Sequence, residues 1–416
     1  MLSSTRASVR LARRSFATVV DTAGLKVAAI DSNQPTVSVT VLAKAGPRYQ
    51  SKPGVAHALK NFAFKGTAER SALGTIRESE LYGGVLSSTL TREHLALTAE
   101  FLRGDEQFFV DVLSSVISST KYTRHEYEEL VLPAMESEIA ALLADPGAHA
   151  VELAHALAFR SGLGASLFAG PHTPITAHDV QEYAATAFAK GNVAILGTGI
   201  SESALSSLAA AVSSAAAPAS STSAYFGGET RVETHGGPQT VFIGFGTAGA
   251  PSSELAALAA HLDPNPSVKW ARSESPLLQG GNTTAKVVYL PYSDAALVGV
   301  LVQGSTTEAV RAASKSAVAA LKGSTSLKAE DLKTAVAKAK FRLANAADSR
   351  EGLVDILGSK VLAGSSETSL DASLASLDKI TAAGFNKAAT ALVKGKPTFV
   401  AIGDTNALPF ADELGL

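Results

Sequence analysis

One plan is written into this sequence twice, at a fixed spacing. Residues 36–43 (TVSVTVLA) alternate and are β-branched, which predicts a strand. Gly46-Pro47 ends it before a short helix at 55–64. A helix at 71–81 follows, then antiparallel strands at 85–91 and 93–101, and helices at 107–119, 127–144, 148–160 and 177–189. A buried-type strand occupies 191–196, and a helix can follow at 201–212. The second half repeats the order: a strand at 240–245, a Gly-rich turn, a helix at 254–262, strands at 286–290 and 295–302, and helices at 306–321 and 329–347. Val37 matches Val241, and Gly191-Asn192-Val193 matches Gly395-Lys396-Pro397, both at an offset of 204 residues. Shared order at one offset predicts duplication of a unit of roughly 200 residues. Strands interleaved with helix pairs predict an α+β chain of two homologous lobes, each a mixed or antiparallel sheet with helices on one face.

Between the copies, residues 213–224 (SSAAAPASSTSA) are an Ala/Ser run too poor in large apolar groups to hold a shape, so they read as a linker between lobes at 17–212 and 225–416. The whole chain is 46% hydrophobic and 18% charged, ample for two cores. A net charge of −2 gives no electrostatic case for nucleic acid. No cysteine occurs, which excludes disulfides, thiolate zinc sites and Cys-held iron–sulfur clusters. No apolar run reaches the roughly 18–20 residues of a spanning helix, so any membrane role is peripheral. Residues 1–16 carry Arg6, Arg10, Arg13 and Arg14, several Ser and Thr and no acid, with Leu2, Val9, Ala12 and Phe16 on one side of a helical wheel. That composition is a mitochondrial transit peptide, with cleavage expected near Phe16 and Ala17.

The sharpest chemical candidate is the helix at 55–64. An inverted zinc motif, His-x-x-Glu-His, would place two His on one helix face and a Glu beside the bound water. Here His57 stands, but Lys60 holds the position of the base and Asn61 that of the second ligand. The third ligand, an acid from the helix at 127–144, aligns with Ala134, with Glu136 and Glu138 nearby. One His does not make a metal site, and an ammonium repels a divalent cation, so no metal or catalytic residue is expected and His57 reads as a packing residue.

Gly244-Phe-Gly246-Thr-Ala-Gly249 matches G-x-G-x-x-G between a strand and a helix, yet lacks the parallel βαβ setting and the later acid of a dinucleotide site; Asp263 comes too early. The repeat explains these glycines as the second copy of the Gly46 turn. His94, His125, His149, His155, His172, His178, His235 and His261 show no ligand or triad spacing, and no G-x-S-x-G elbow appears. With methionine only at Met1 and Met135, haem ligation finds no support. Lys328, Lys333, Lys338, Lys340 and Arg342 form a solvated or partner-facing helix surface. No cofactor is expected.

Residues 45–67, AGPRYQSKPGVAHALKNFAFKGT, resemble the G-x-R-x-E…G-x-A-H-F-L-E-H…F-K-G-T signature of the mitochondrial processing peptidase (pitrilysin) family. Residues 86–100 (LSSTLTREHLALTAE), Asp145-Pro146-Gly147-Ala148-His149, Phe226-Gly227-Gly228-Glu229-Thr230-Arg231, Tyr292-Ser293-Asp294 and the tail at 408–414 carry the resemblance from about Thr22 to the C-terminus. The family implies two α+β lobes around a cleft. Carried over residue by residue, its zinc motif fails at Lys60, Asn61 and Ala134. The resemblance is to the family's core-protein branch in ubiquinol–cytochrome c reductase, respiratory complex III. It implies a non-catalytic scaffold on the matrix side of the inner membrane, paired with core protein I in a dimeric complex. There it would support cytochrome b, cytochrome c1 and the Rieske protein without holding redox centres. The alternative is the substrate-binding, non-zinc subunit of the processing peptidase, whose Gly-rich loop has only the glycine-poor stretch Leu277-Leu278-Gln279-Gly280-Gly281-Asn282 to match it.

Overall fold

Every strand of the second half has a counterpart in the first. The computed structural model describes residues 18–22, 25–30, 34–170, 173–212, 221–266, 275–277, 283–363 and 369–416. The expected transit peptide, most of the expected linker, His172 and residues 278–282 lie outside them. In the first half, β1 (Thr18–Thr22), β2 (Leu25–Ile30), β3 (Thr36–Ala43), β4 (Val85–Leu90), β5 (Leu95–Leu102) and β6 (Val193–Thr198) form a sheet ordered β1-β2-β6-β3-β5-β4. In the second, β7 (Gly228–Glu233), β8 (Gln239–Ala248), β9 (Thr283–Pro291), β10 (Ala295–Gly304) and β11 (Thr398–Gly403) are ordered β7-β11-β8-β10-β9. Apart from β1, the two orders coincide, each with one parallel pair, β2 with β6 and β7 with β11. β1, β2, β7 and β11 went unread as strands in the sequence, since short strands carry too little pattern to register.

The helices of the first half are α1 (Val55–Phe62), α2 (Ala72–Leu81), α3 (Glu106–Ser118), α4, α5 (Pro146–Phe159), α6 (Ala177–Ala187) and α7 (Glu202–Ala210). α4 runs through Arg124–Glu126, a π turn at Tyr127–Val131 and Leu132–Ala144. The second half has α8 (Ser253–Leu262), α9 (Thr307–Gly323), α10 (Ala329–Ala346), α11, α12 (Leu370–Asp378) and α13 (Ala382–Val393). α11 also carries a π turn, Val354–Gly358, between Arg350–Leu353 and Ser359–Ala363. No helix among the described residues is long and apolar enough to cross a membrane.

Each sheet packs one face against helices of its own half. Val37, Val39, Val41, Leu95 and Leu97 meet Leu59 and Phe62 of α1, Phe109 and Leu113 of α3 and Leu205 of α7. Val241, Ile243, Val298 and Val300 meet Leu258 of α8, Val310 of α9 and Phe385 of α13. The other face of each sheet is covered by a helix from the opposite half. α5 lays Ala150, Ala154, Ala158 and Phe159 on Phe242, Leu297, Val400 and Ile402. α11 lays Leu353, Val354, Leu357, Val361 and Leu362 on Ala28, Leu42, Ala194 and Leu196. The two helices are copies of each other: Asp145 caps the first through the Gly147 N–H, and Ser349, 204 residues on, caps the second through Gly352. The offset read from sequence thus returns as a reciprocal exchange of helices.

α2 packs inside out. It buries Thr75 and Ser79 and leaves Leu73, Ile76 and Leu81 exposed, beside exposed Tyr82 and Val85.

Candidate functional site

Gly54 sets the entry to α1. Its φ of +83° is left-handed, and a Cβ there would lie 2.5 Å from Ala169. Val55, Ala56, Ala58, Leu59 and Phe62 then bury one face of α1, which swings His57 into the lobe and leaves Lys60 and Asn61 at its rim. The acid expected from α4 is Glu138, one helical turn beyond Ala134 on the same face. Ala134 is corrected on this point: it has no polar group to offer, and Glu138 takes the contact.

His57 Nε2 lies 2.6 Å from Glu138 Oε2, the Lys60 ammonium donates to Glu138 Oε1, and Asn61 Nδ2 donates to Oε2 at 3.4 Å. The backbone N–H of Ala169 donates to His57 Nδ1 at 3.2 Å. Nδ1 therefore accepts, and the imidazole proton sits on Nε2, pointing at the carboxylate. Burial is the main influence lowering the pKa of His57, outweighing the attraction of Glu138. Burial alone would raise that of Glu138, but the hydrogen bonds from Lys60 and His57 together hold it below the usual carboxylate range. Phe168 closes the pocket edge-on to the His57 ring at 5.3 Å. A zinc ion needs about three lone pairs aimed at one point. Here donors converge on a single anion, so the set does not fit zinc. Among the described residues no group of three or more His, Cys, Asp or Glu side chains is placed to hold a metal.

A polar network lies between the lobes, and the sequence reading missed it. Arg48, after β3, donates to Glu93 at 2.7 Å and bidentately to Asp294 of the β9–β10 turn, both at 2.7 Å. Glu93 also accepts from the Ser293 N–H at 2.9 Å and its hydroxyl at 2.5 Å. Asp294 accepts from the Ser223 N–H at 2.8 Å and its hydroxyl at 2.9 Å, and Arg48 reaches the Ser221 carbonyl. Residues 221–224, read as shapeless linker, are therefore tied down at Ser221 and Ser223. Next to this network the buried Arg92 guanidinium bonds Glu152 and the Leu163 and Ala165 carbonyls, and His155 Nε2 meets the Tyr292 hydroxyl at 2.6 Å. Burial drives His155 down to about 3, so it bridges the lobes as a neutral ring. These partners lie up to 246 residues apart, a separation at which no local pattern signals a contact.

The family model described as Insulinase (Peptidase family M16) matches residues 26–171. Over nearly its full length the chain is also similar to proteins named cytochrome b-c1 complex subunit 2, mitochondrial. It is 44% identical to that of Cryptococcus neoformans var. grubii, covering 99% of this chain and 97% of the relative. With the Yarrowia lipolytica protein the identity is 36%, over 97% and 98% of the two chains. The chain belongs to the cytochrome b-c1 complex subunit 2 family. The human member is 27% identical over 94% of this chain and 90% of its own.

The other candidates of this family member resolve as structure. Gly244 and Gly246 are not in a turn: β8 runs through to Ala248, opposite Gly299 and Leu297 of β10. They make room for rings. A Cβ on Gly246 would lie 2.4 Å from the Tyr225 ring, which is anchored by hydroxyl bonds to the Lys396 carbonyl at 2.5 Å and Thr398 at 3.0 Å. Gly246→Ala is expected to cost about 1–3 kcal/mol by overpacking, checked by urea unfolding. His125 and His178 pair with Glu129 and Glu182 along exposed helix faces. On α10, Lys340 pairs with Asp378 and Arg342 with Asp263, so part of that basic face is neutralised within the chain.

Proposed function

We propose that this chain is a non-catalytic core subunit of the mitochondrial cytochrome b-c1 complex, a scaffold for quinol-to-cytochrome c electron transfer that carries no redox centre. The carrying observation is near-full-length similarity to subunit 2 proteins. The inverted donor set at His57, Lys60, Asn61 and Glu138 supports the non-catalytic part, since it offers neither metal ligands nor a free base. In this reading residues 1–16 direct the chain to mitochondria and are removed. The mature chain sits on the matrix face of the inner membrane beside core protein I, cytochrome b, cytochrome c1 and the Rieske protein in a dimeric complex. The exposed apolar side chains of α2 suit a subunit whose surface is covered in an assembly.

Detergent-solubilised mitochondria run on a native gel, with the chain located by mass spectrometry, test this directly. The expected result is migration in a large species with b- and c-type haem and an N-terminus near Ala17. Recovery as a soluble heterodimer that cleaves presequence peptides would overturn it in favour of a processing-peptidase subunit.

A further inference from the structure

The His57 site has the geometry of a metal centre with its polarity reversed. In a metal centre, lone pairs from two helices converge on a shared cation. Here α1 and α4 converge on the Glu138 carboxylate, and all three partners on α1 present protons: the His57 Nε2–H, the Lys60 ammonium and the Asn61 amide. Lys60 is also held from behind, since the Ser88 hydroxyl of β4 donates to its carbonyl at 3.2 Å. Asn61 in turn donates to the His57 carbonyl at 3.2 Å, closing the set on itself. The side chains are partly covered, with exposures of 2% for His57, 19% for Lys60 and 33% for Glu138, so water screens the pairing only in part.

We propose that the Lys60 ammonium is a tethered replacement for a divalent cation: it supplies the positive charge that joins α1 to α4 and makes that joint independent of metal. Two features follow from the geometry. His57 cannot turn a lone pair toward an incoming ion without giving up both its bond from the Ala169 N–H and its bond to Glu138. And the carboxylate has both oxygens occupied, Oε1 by Lys60 and Oε2 by His57. The changes that set the polarity lie at Lys60 and Asn61. Reversing both should return the site to cation binding: the Glu138 carboxylate loses its ammonium, a second imidazole joins it, and the metal–ligand bonds outweigh the one bond that His57 gives up from the Ala169 N–H.

The test uses the full-length chain as wild type, as Lys60→Met and as the double variant Lys60→Glu/Asn61→His. Each is stripped with chelator, offered zinc chloride, dialysed, assayed by elemental analysis and melted with and without the metal. The wild type is expected to retain no stoichiometric zinc and to melt at one temperature in both conditions. Lys60→Met is expected to melt roughly 2 °C or more lower, with no recovery on adding zinc. The double variant is expected to melt low without metal and to regain the loss with about one zinc per chain. Stoichiometric zinc in the wild type would overturn the proposal, as would Lys60→Met melting at the wild-type temperature. A folded double variant that takes up no zinc would overturn it as well. Should the double variant not fold, the Lys60→Met comparison decides. None of these outcomes bears on which complex contains the chain, so the proposal stands or falls separately from its membership there.

Discussion

A chain cut within residues 213–220, by a protease site placed there, is expected to stay one particle. Each half covers the far face of the other half's sheet. Seven large side chains make this exchange: Phe159 and Leu163 on the second sheet, and Leu353, Val354, Leu357, Val361 and Leu362 on the first. At about 1.5–3 kcal/mol each for full burial, the exchange contributes on the order of 10 kcal/mol, as much as the whole stability of a typical domain. The nicked protein should therefore elute as one species on size exclusion and unfold in one transition. Halves expressed apart, 17–212 and 225–416, should each aggregate, since Leu42 and Leu196 in one and Phe242 and Val400 in the other would face water. Separation of the nicked halves in native buffer would show that the exchanged helices do not hold the molecule together. High salt separates two explanations: an apolar joint survives it, whereas one carried by surface charge weakens.

The second large effect is at Asp294, and its sign depends on pH. Arg48 has 4% side-chain exposure and Asp294 29%. Burial alone would raise the Asp294 pKa, but the bonds from Arg48 and Ser223 prevail and hold it near 2, down from 3.8. A carboxylate held low in the folded state stabilises it above the unfolded value and loses that contribution as pH falls toward the folded one. The window is therefore roughly pH 4 down to pH 2, and the contribution is about 2 kcal/mol. Asp294→Asn leaves Arg48 buried with Glu93 as its remaining acid, so the cost at pH 7 should be near 3 kcal/mol, the lower end for breaking a buried pair. Urea unfolding at pH 7 and pH 2.5 checks this: the gap between wild type and variant should shrink markedly at the lower pH. An equal gap at both would mean that Asp294 does not act through its charge.

The sequence made legible what is periodic or local. β3 was read at its exact bounds because TVSVTVLA alternates and is β-branched, although the fold buries seven of its eight residues, and the 204-residue offset located the second copy. α11 went unread even though it is the copy of α5, because its apolar residues serve the sheet of the other half, and no local pattern marks that partner. At the candidate site His57, Lys60 and Asn61 were found because they are neighbours on one helix. The acid was placed a turn early, at Ala134, because only the packing of α4 on α1 shows which rung of α4 faces His57. The Arg48–Asp294 seam was out of reach for the same reason: its members belong to loops, whose positions depend on the finished fold.

The helix exchange also fixes an order of events. The first sheet is complete in hydrogen bonds once residue 198 has joined it, yet Leu42 and Leu196 stay bare until Leu353 through Leu362 arrive. Contacts at such separations close slowly, and apolar surface waiting for them is exposed to wrong partners. A nascent or newly imported first half is thus an incomplete object, in need of shelter until the second half is delivered.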